Sequence, residues 1–206
     1  MRLGVFGGTF DPVHTGHLVA AETARQAADL DSIMFVPAGE PWLKDGEVVG
    51  AKQDRMRMVE LAIEGNNRFI GSDMELQRPG PTYSADTLEA LREQRPGDQL
   101  FLIVGMDALD DFGRWSRPQR ILKLATLLGI ARPGYNRPDP SQLDDIRPGV
   151  SRDVIVAEGP LLDVSATDIR ERLGRGASVR YLVPEAGERY IYENGLYGTV
   201  KVSNDD

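Results

Sequence analysis

Short apolar segments alternate with amphipathic helical patterns along almost all of the 206 residues, and this alternation limits the folds that the chain can adopt. The first strand is predicted at Leu3–Gly7, where two glycines stop an apolar run. Further strands are predicted at 32–37, 69–76, 100–105, 126–131 and 153–157. Helical patterns fall between them, at 17–30, 52–65, 84–95, 107–112, 118–125, 165–173 and 184–193.

These alternating elements predict an α/β fold, with a mainly parallel, twisted, Rossmann-like sheet flanked by helices. Parallel sheets of this kind bind ligands at the carboxyl ends of their strands. The loops after Phe6, Val36, Val104 and Ile130 are therefore expected to converge on one site.

The length of the chain fits one domain, which is predicted over residues 1–200 with a small helical part at about 160–200. The terminal residues 201–206 are predicted to form a disordered tail. Residues 134–152 are rich in Pro, Gly and Asp and are predicted to form an irregular surface excursion.

The composition excludes several functional classes. The chain has no cysteine, which rules out a disulfide scaffold, an iron–sulfur cluster and thiol catalysis. Its net charge of −8 argues against a general duplex-DNA binder, which needs a cationic face. No apolar run reaches the ~18 residues of a membrane-spanning helix, and the start does not resemble a signal peptide. We therefore expect a cytoplasmic protein with neither membrane nor nucleic-acid partners.

Both histidines of the chain lie in the tetrapeptide His14–His17, directly after the first strand and its glycines. Free N–H groups where a helix begins favour a bound anion. Two imidazoles add donors of adjustable charge, while Gly7 and Gly8 let a ligand approach closely. The segment therefore predicts a phosphate-binding site, with ordinary helix capping by the histidines as the alternative.

A zinc site with Asp11 as a third ligand is a further alternative, which the absence of cysteine and of other histidines disfavours. The segment is neither a P-loop nor a dinucleotide-binding fingerprint, because it lacks the required spacing of glycines and lysine. No protein-bound metal site is therefore predicted.

A second candidate anion site lies near the C-terminus, in the run Ser165–Arg170. Ser165 is predicted to cap a helix whose first turn carries the Thr167 hydroxyl, with Arg170 one turn further on. Hydroxyls and a guanidinium in this arrangement can bind a phosphate. An ordinary capped helix with a surface arginine is the alternative.

Together, the run Gly-Gly-Thr-Phe-Asp-Pro-Val-His-Thr-Gly-His at residues 7–17 and the run Ser-Ala-Thr-Asp-Ile-Arg at 165–170 resemble the nucleotidyltransferase superfamily of the H-x-G-H type. More narrowly, the chain resembles the bacterial nicotinate-mononucleotide adenylyltransferases over essentially its whole length. Further matching segments follow in order; these are Pro41–Lys44, Pro81–Leu88, Val104–Asp107, Gly113–Trp115, Arg132–Gly134 and Glu193–Tyr197.

This resemblance implies transfer of the adenylyl group of ATP to nicotinate mononucleotide, which gives deamido-NAD and pyrophosphate. A phosphate monoester is largely ionised near pH 7, since its second pKa is about 6, so direct in-line attack needs no covalent enzyme intermediate. Catalysis is then expected to consist of positioning and electrostatic stabilisation, with Mg²⁺ bound mainly through the ATP phosphates.

The resemblance also implies roles for individual residues. The implied catalytic residues are His14, His17 and Arg170. The implied ATP-binding residues are Gly7, Gly8, Thr9, Phe10, Gly16, Gly105, Asp107, Ser165 and Thr167. The implied nicotinate mononucleotide-binding residues are Lys44, Ser84, Thr87 and Trp115, with the indole of Trp115 stacked on the pyridine ring.

Other functions stay open at this point. One is a sibling activity of the superfamily, such as that of phosphopantetheine adenylyltransferase or of a cytidylyltransferase. Another is a non-catalytic nucleotide-sensing module, against which the intact pair His14 and His17 argues. The oligomeric state also stays open, and a homo-oligomer is one option.

A chain with a net charge of −8 would be expected to repel two negatively charged substrates. Residues 112–138 contain six cations and no acid, which predicts a local positive wall beside the phosphates, although part of it could be ordinary solvated surface. These cations are Arg114, Arg117, Arg120, Lys123, Arg132 and Arg137.

Overall fold

The computed structural model describes residues 1–41, 48–130, 140–160 and 162–201, and only the backbone of Met106 and Asp107. The strands are β1 (Arg2–Gly8), β2 (Ser32–Pro37), β3 (Phe69–Gly71), β4 (Gln99–Gly105), β5 (Ala125–Ile130) and β6 (Ile155–Ala157). They form one sheet in the order β3-β2-β1-β4-β5-β6, and all neighbouring strands are parallel. This is the strand order of a doubly wound, Rossmann-like sheet, so the predicted fold class is confirmed.

Helices cover both faces of this sheet. They are α1 (Thr15–Ala27), α2 (Lys52–Ile63), α3 (Ser84–Gln94), α4 (Met106–Asp110), α5 (Pro118–Leu124), α6 (Ala166–Gly174) and α7 (Glu185–Asn194). Short 3₁₀ turns lie at Phe112–Arg114, Pro140–Asp145, Val150–Asp153 and Leu196–Gly198. Buried residues of α1, α2, α6 and α7 share one core cluster, and those of α3, α4 and α5 share the other. Within the described parts of the chain, no helix has the length and apolar character needed to cross a membrane.

Successive residues of the central strands point to opposite faces, and each face has its own core. In β2, Ile33 and Phe35 belong to the cluster that α1 covers, whereas Met34 and Val36 belong to the cluster that α3 covers. Because both faces of the sheet are buried, its central strands are continuous apolar runs, and such runs are readily found from the sequence.

The carboxyl ends of the central strands lie along one edge of the sheet. Gly8 at the end of β1 pairs with Pro37 in β2, and Gly105 at the end of β4 pairs with Ile130 in β5. The loops after β1, β2 and β4 therefore leave from the same edge, as predicted. The fourth loop begins at residue 131, outside the described residues.

Several predicted element boundaries are wrong. Helix α1 covers Thr15–Ala27 instead of 17–30, and β6 begins at Ile155 instead of residue 153. The third strand ends at Gly71 instead of continuing to residue 76, because the chain turns and the Leu76 amide donates to the Asp73 carbonyl. Helix α3 begins at Ser84 itself and Tyr83 occupies the N-cap position, so Ser84 is not the predicted cap.

The predicted surface excursion at 134–152 is more ordered than expected. Its described part forms 3₁₀ turns at Pro140–Asp145 and Val150–Asp153. Leu143 and Val150 are buried in the cluster beneath α3 and α5, so these turns help to cover that face of the sheet.

A cavity of about 500 Å³ lies at the amino ends of the strands, on the opposite edge of the sheet from the converging loops. Arginines in its lining donate to backbone carbonyls at the ends of helices and turns; these are Arg2, Arg92 and Arg147. Cations are favourable near helix C-termini, so these arginines have a structural role.

Gly4 in β1 lies where the core leaves no room for a side chain. A Cβ at this position would be 2.5 Å from Ile33 Cδ1 and 2.9 Å from Ile103 Cδ1. We expect Gly4→Ala to lower the free energy of unfolding by about 1–3 kcal/mol, because the neighbouring side chains must move. The control is Gly97→Ala, whose Cβ would meet nothing within 4 Å. Urea denaturation that gave equal stability for the two variants would contradict this packing.

Candidate active site

The connection between β1 and α1 carries the first predicted motif. Thr9 follows β1, and Phe10 adopts a left-handed backbone conformation with φ +50° that turns its buried ring into the core. The Asp11–Pro12 peptide bond is cis, and His14 occupies the N-cap position of α1. The connection is therefore a compact turn at the carboxyl edge of the sheet.

His14 and His17 form a stacked pair where α1 begins. Their ring centroids are 3.7 Å apart, with an angle of 27° between the ring planes. The His14 backbone N–H donates to His17 Nδ1 at 3.2 Å. Because Nδ1 accepts this hydrogen bond, the ring proton of His17 lies on Nε2, which makes Nε2–H a donor for a ligand oxygen.

Two phenylalanine rings pack against the imidazole of His17. The Phe10 ring lies 5.0 Å from the His17 ring at 75°, and the Phe6 ring lies 6.1 Å away at 63°. Such edge-to-face contacts restrict the orientation of the imidazole. The core of the sheet therefore extends directly to the predicted catalytic histidine.

The glycines at positions 7, 8 and 16 differ in how much space surrounds them. A Cβ on Gly16 would be 3.1 Å from His14 Nδ1, and a Cβ on Gly8 would be 3.0 Å from the Phe10 ring. A side chain at either position would press on these rings, so both glycines fit the packing within the protein independently of a ligand. A Cβ on Gly7 would meet nothing within 4 Å, so the space beside Gly7 is open to a ligand.

The prediction of free amides where α1 begins is wrong for the first two of them. The Thr15 amide donates to the Leu182 carbonyl at 2.8 Å, and the His14 amide donates to His17. The His17 amide also donates, to the His14 carbonyl at 2.9 Å, so side-chain donors are the main groups that this end of α1 offers to an anion.

The second predicted motif lies beside the first. Ser165 is the N-cap of α6 and its hydroxyl accepts the Asp168 amide, as predicted. Arg170 Nη1 donates to the Asp11 carbonyl at 2.7 Å, and Nη2 donates to the exposed Thr167 hydroxyl at 3.4 Å. The structure thus brings Arg170 and Thr167 to the loop that leads into the histidine pair.

Asp11 is buried, with 2 % of its surface exposed. Its carboxylate accepts the Val49 amide at 2.8 Å, the Gly50 amide at 2.9 Å and the Tyr197 hydroxyl at 2.7 Å. These three donors engage both oxygens, which speaks against the alternative of Asp11 as a zinc ligand. Across the described residues, no group of three His, Asp or Glu side chains is placed to hold a metal ion.

Arg55 and Tyr197 complete this buried network, and the sequence predicted no role for either of them. Arg55 is fully buried, and its guanidinium donates to the Thr9 carbonyl at 2.7 Å and to the Gly50 carbonyl at 3.2 Å. Burial lowers the pKa of Arg55, although Asp11 and Tyr197 oppose the shift. Burial, with the nearby Asp11 charge, raises the pKa of Tyr197. The sequence carries one sign of this burial, because Arg55 lies on the apolar face of the predicted helix α2.

The adenosine-binding and nicotinate-binding residues implied by the resemblance are only partly described. Gly105 is the N-cap of α4, which places Asp107 in the first turn at the carboxyl edge. Asp107 therefore lies inside α4 and is not its N-cap. Trp115 is half-buried, with its ring 5.3 Å from the Phe112 ring. Lys44 lies outside the described residues.

Thr87 is directed into the protein. It is buried, its hydroxyl donates to Glu75 Oε1 at 2.6 Å, and Arg78 donates to the same hydroxyl at 3.3 Å. Ser84 is one turn before it at the beginning of α3. Thr87 thus anchors the first turn of α3, while Ser84 is the more exposed of the two.

Comparisons with known proteins show which family the chain belongs to. Residues 5–172 match the family model described as cytidylyltransferase-like. A probable nicotinate-nucleotide adenylyltransferase of Frankia alni is 46 % identical over 191 residues, covering 93 % of this chain and 97 % of the relative. One of Dehalococcoides mccartyi is 43 % identical over 198 residues, covering 96 % and 97 %. The chain belongs to the nicotinate-nucleotide adenylyltransferase family.

A solved structure shares the fold. It is the Plasmodium falciparum nicotinic acid mononucleotide adenylyltransferase complexed with NaAD, which matches with a TM-score of 0.78 and covers 95 % of this chain and 97 % of that one. The sequences are 18 % identical, so this likeness concerns the fold alone.

The predicted positive wall of this adenylyltransferase is wrong for three of its described cations, because acids neutralise them. Arg117 pairs with Asp86 at 2.5 Å, and both Arg117 and Arg120 pair with Glu89. Arg114 pairs with Asp111. The acids come from α3 and from just before the counted run, which is why the local sequence gave no sign of them. Lys123 lines the cavity at the opposite edge, and Arg132 and Arg137 lie outside the described residues.

We expect the buried carboxyl of Glu75 to make the free energy of unfolding depend on pH. Burial raises the pKa of Glu75, against opposing hydrogen bonds from Thr87 and Thr82. A carboxyl with a raised folded-state pKa binds more protons when folded, so stability falls as the pH rises from its unfolded pKa through its folded pKa. Glu75→Gln removes this contribution. The free energy of unfolding of the wild type should therefore fall, relative to that of Glu75→Gln, as the pH rises above about 4.

Urea denaturation at several pH values measures this difference. The control is Glu64→Gln, which changes an exposed carboxyl at the end of α2. Identical pH profiles for the wild type and Glu75→Gln would show that Glu75 does not titrate differently in the folded chain.

Proposed function

We propose that this protein transfers the adenylyl group of ATP to nicotinate mononucleotide, with deamido-NAD and pyrophosphate as products. The observation that carries the proposal is the stacked pair His14 and His17, which lies at the carboxyl edge of β1 with Arg170 held beside it. Membership of the nicotinate-nucleotide adenylyltransferase family supports the choice of substrates.

The proposed reaction is a direct in-line displacement. The 5′-phosphate of nicotinate mononucleotide is the nucleophile and needs no general base, because its second pKa is about 6. It forms a bond to the α-phosphorus of ATP while the bond to the leaving pyrophosphate breaks. The protein therefore has to align two polyanions and stabilise the charge that develops.

His14, His17 and Arg170 are the proposed catalytic residues. His17 Nε2–H donates to an α- or β-phosphate oxygen, and its orientation is fixed by Phe10 and by the His14 amide. Arg170 is anchored through Nη1 on the Asp11 carbonyl, and its other guanidinium N–H groups would bind the β- and γ-phosphates with Thr167.

The remaining proposed ATP contacts follow the same edge of the sheet. Gly7 offers open space for the phosphates or ribose, and Gly8, Thr9 and Phe10 offer backbone groups nearby. Gly105 and Asp107 stand at the end of β4, where the adenosine is proposed to bind. Gly16 and Ser165 contribute by holding the histidine pair and α6 in place.

Nicotinate mononucleotide is proposed to bind where α3 begins. The start of a helix favours a carboxylate, which assigns the nicotinate carboxylate to the turn at Ser84. Thr87 supports this turn through Glu75, so its proposed role changes from direct binding to positioning. Trp115 would stack on the pyridine ring, and Lys44 would bind the 5′-phosphate.

Magnesium is proposed to enter with ATP rather than to occupy a site of its own. The described residues hold no group of three His, Asp or Glu side chains suited to a metal, whereas phosphate oxygens are good Mg²⁺ ligands. Bound there, Mg²⁺ would neutralise phosphate charge. The proposal also takes residues 1–200 as one domain acting on small nucleotides in the cytoplasm, without nucleic-acid or membrane partners.

Pyrophosphate release from ATP tests the proposed function. Nicotinate mononucleotide, nicotinamide mononucleotide and phosphopantetheine are offered in turn as acceptors. We expect release with nicotinate mononucleotide and formation of deamido-NAD. Release with phosphopantetheine alone would show a sibling activity of the superfamily, and no release with any acceptor would favour a sensing module.

His17→Ala removes the proposed phosphate donor. We expect kcat to fall by about 10²- to 10³-fold, because a preorganised donor to developing charge is lost. The helical signal in circular dichroism should stay unchanged, since alanine is favourable inside a helix. A kcat within threefold of the wild type would remove His17 from the catalytic set.

Gly7→Ala tests whether a ligand occupies the open space beside β1. The added Cβ meets no protein atom within 4 Å, so thermal stability should match that of the control Gly97→Ala. We expect the KM for ATP to rise about tenfold in Gly7→Ala only, because the methyl group takes space from the ligand. Equal KM values in the two variants would place the nucleotide elsewhere.

A further inference from the structure

Asp11 joins parts of the chain that are far apart in the sequence. Its carboxylate accepts two amides, of Val49 and Gly50, which closely follow the segment that carries Lys44. The same carboxylate accepts the hydroxyl of Tyr197, which lies 186 residues away at the end of the fold. One side chain therefore links the loop before His14, the segment after Lys44 and the C-terminal 3₁₀ turn.

The backbone of the same loop is held from two other sides. Arg55 in α2 donates to the Thr9 carbonyl at 2.7 Å. Arg170 in α6 donates to the Asp11 carbonyl at 2.7 Å. Two guanidinium groups thus hold the loop carbonyls, while the Asp11 carboxylate depends on Tyr197 and on the two amides.

The packing around these groups leaves little freedom for adjustment. A Cβ on Gly50 would be 2.5 Å from Asp11 Oδ1 and 2.9 Å from the Tyr197 hydroxyl oxygen. A buried carboxylate that loses a donor costs free energy, and it recovers part of that cost only by moving toward other donors. Such a movement would displace the backbone that leads directly into His14.

We propose that Tyr197 is a positioning residue for adenylyl transfer, because its hydroxyl fixes Asp11 and thereby the loop that carries Thr9 and His14. Tyr197 acts through Asp11 and is not proposed to contact a substrate. The inference rests on the proposed function, since the loop matters for catalysis only if the histidine pair binds the reacting phosphates.

The chain contains a matched control for this hydrogen bond. Tyr190 in α7 donates to Asp54 Oδ1 in α2 at 2.8 Å, which is the same chemistry at nearly the same length. Both bonds connect the C-terminal part of the fold to earlier residues and both tyrosines are at least partly buried. Among the hydrogen bonds and ion pairs of the described residues, however, none joins Asp54 to the loop before His14. Only the Tyr197 bond should therefore affect the reaction.

The experiment compares Tyr197→Phe with Tyr190→Phe, each of which removes one hydroxyl and keeps the ring. Stability is measured by urea denaturation, and kcat and KM are measured for both substrates. The value of kcat is expressed per folded molecule, with the folded fraction obtained by circular dichroism at the assay temperature. Amide hydrogen exchange at Val49 and Gly50 reports the state of the Asp11 carboxylate directly.

We expect Tyr197→Phe to lower the urea midpoint more than Tyr190→Phe, because Asp11 is buried whereas Asp54 is partly exposed. Tyr197→Phe should lower kcat about tenfold, with the KM for ATP within twofold, and should speed exchange at Gly50, because misplacement of a catalytic group reduces the rate of the chemical step. Tyr190→Phe should keep kcat within twofold of the wild type. An unchanged kcat in Tyr197→Phe, or equal losses in both variants, would overturn the inference. If the wild type releases no pyrophosphate, the proposed function fails instead.

Discussion

The burial of the Asp11 carboxylate is the constraint on which the candidate site depends. A carboxylate with 2 % exposure must be met by hydrogen-bond donors, because water cannot solvate it. The donors come from residues 49–50 and from Tyr197, while Arg170 binds the carbonyl of the same residue. The geometry of the histidine motif is thus set by contacts with α2, α6 and the C-terminal turn, and not by the motif alone.

The proposed site would let an acidic protein bind two phosphate-bearing substrates. The net charge is −8, and three of the described arginines that follow α4 are paired with acids of α3 and with Asp111; these are Arg114, Arg117 and Arg120. In the proposed function, the attraction for phosphate is local. It comes from imidazole N–H groups and from Arg170, which act over short distances and add little to the charge of the whole surface.

Sequence patterns predicted much of the fold but little of this network. The central strands, the Ser165 cap and the common edge of the loops after β1, β2 and β4 were predictable, because apolar periodicity, capping residues and the parallel-sheet rule are local or general signals. The meeting of the two motifs was implied by the resemblance alone. The burial of Arg55, the Tyr197 hydrogen bond and the Glu75–Thr87 contact were not predictable. Each of these contacts joins side chains that lie on separate elements. The positive wall was predicted wrongly at Arg117 and Arg120 for the same reason, because their acidic partners lie on another element.

A structure of the protein with deamido-NAD bound tests the central claim most directly. The account predicts that the dinucleotide lies across the carboxyl edge of the sheet, with a bridging phosphate oxygen about 2.7–3.2 Å from His17 Nε2. It also predicts that Arg170 keeps its bond to the Asp11 carbonyl. Phosphates bound away from both histidines, for instance in the cavity at the amino ends of the strands, would contradict the account.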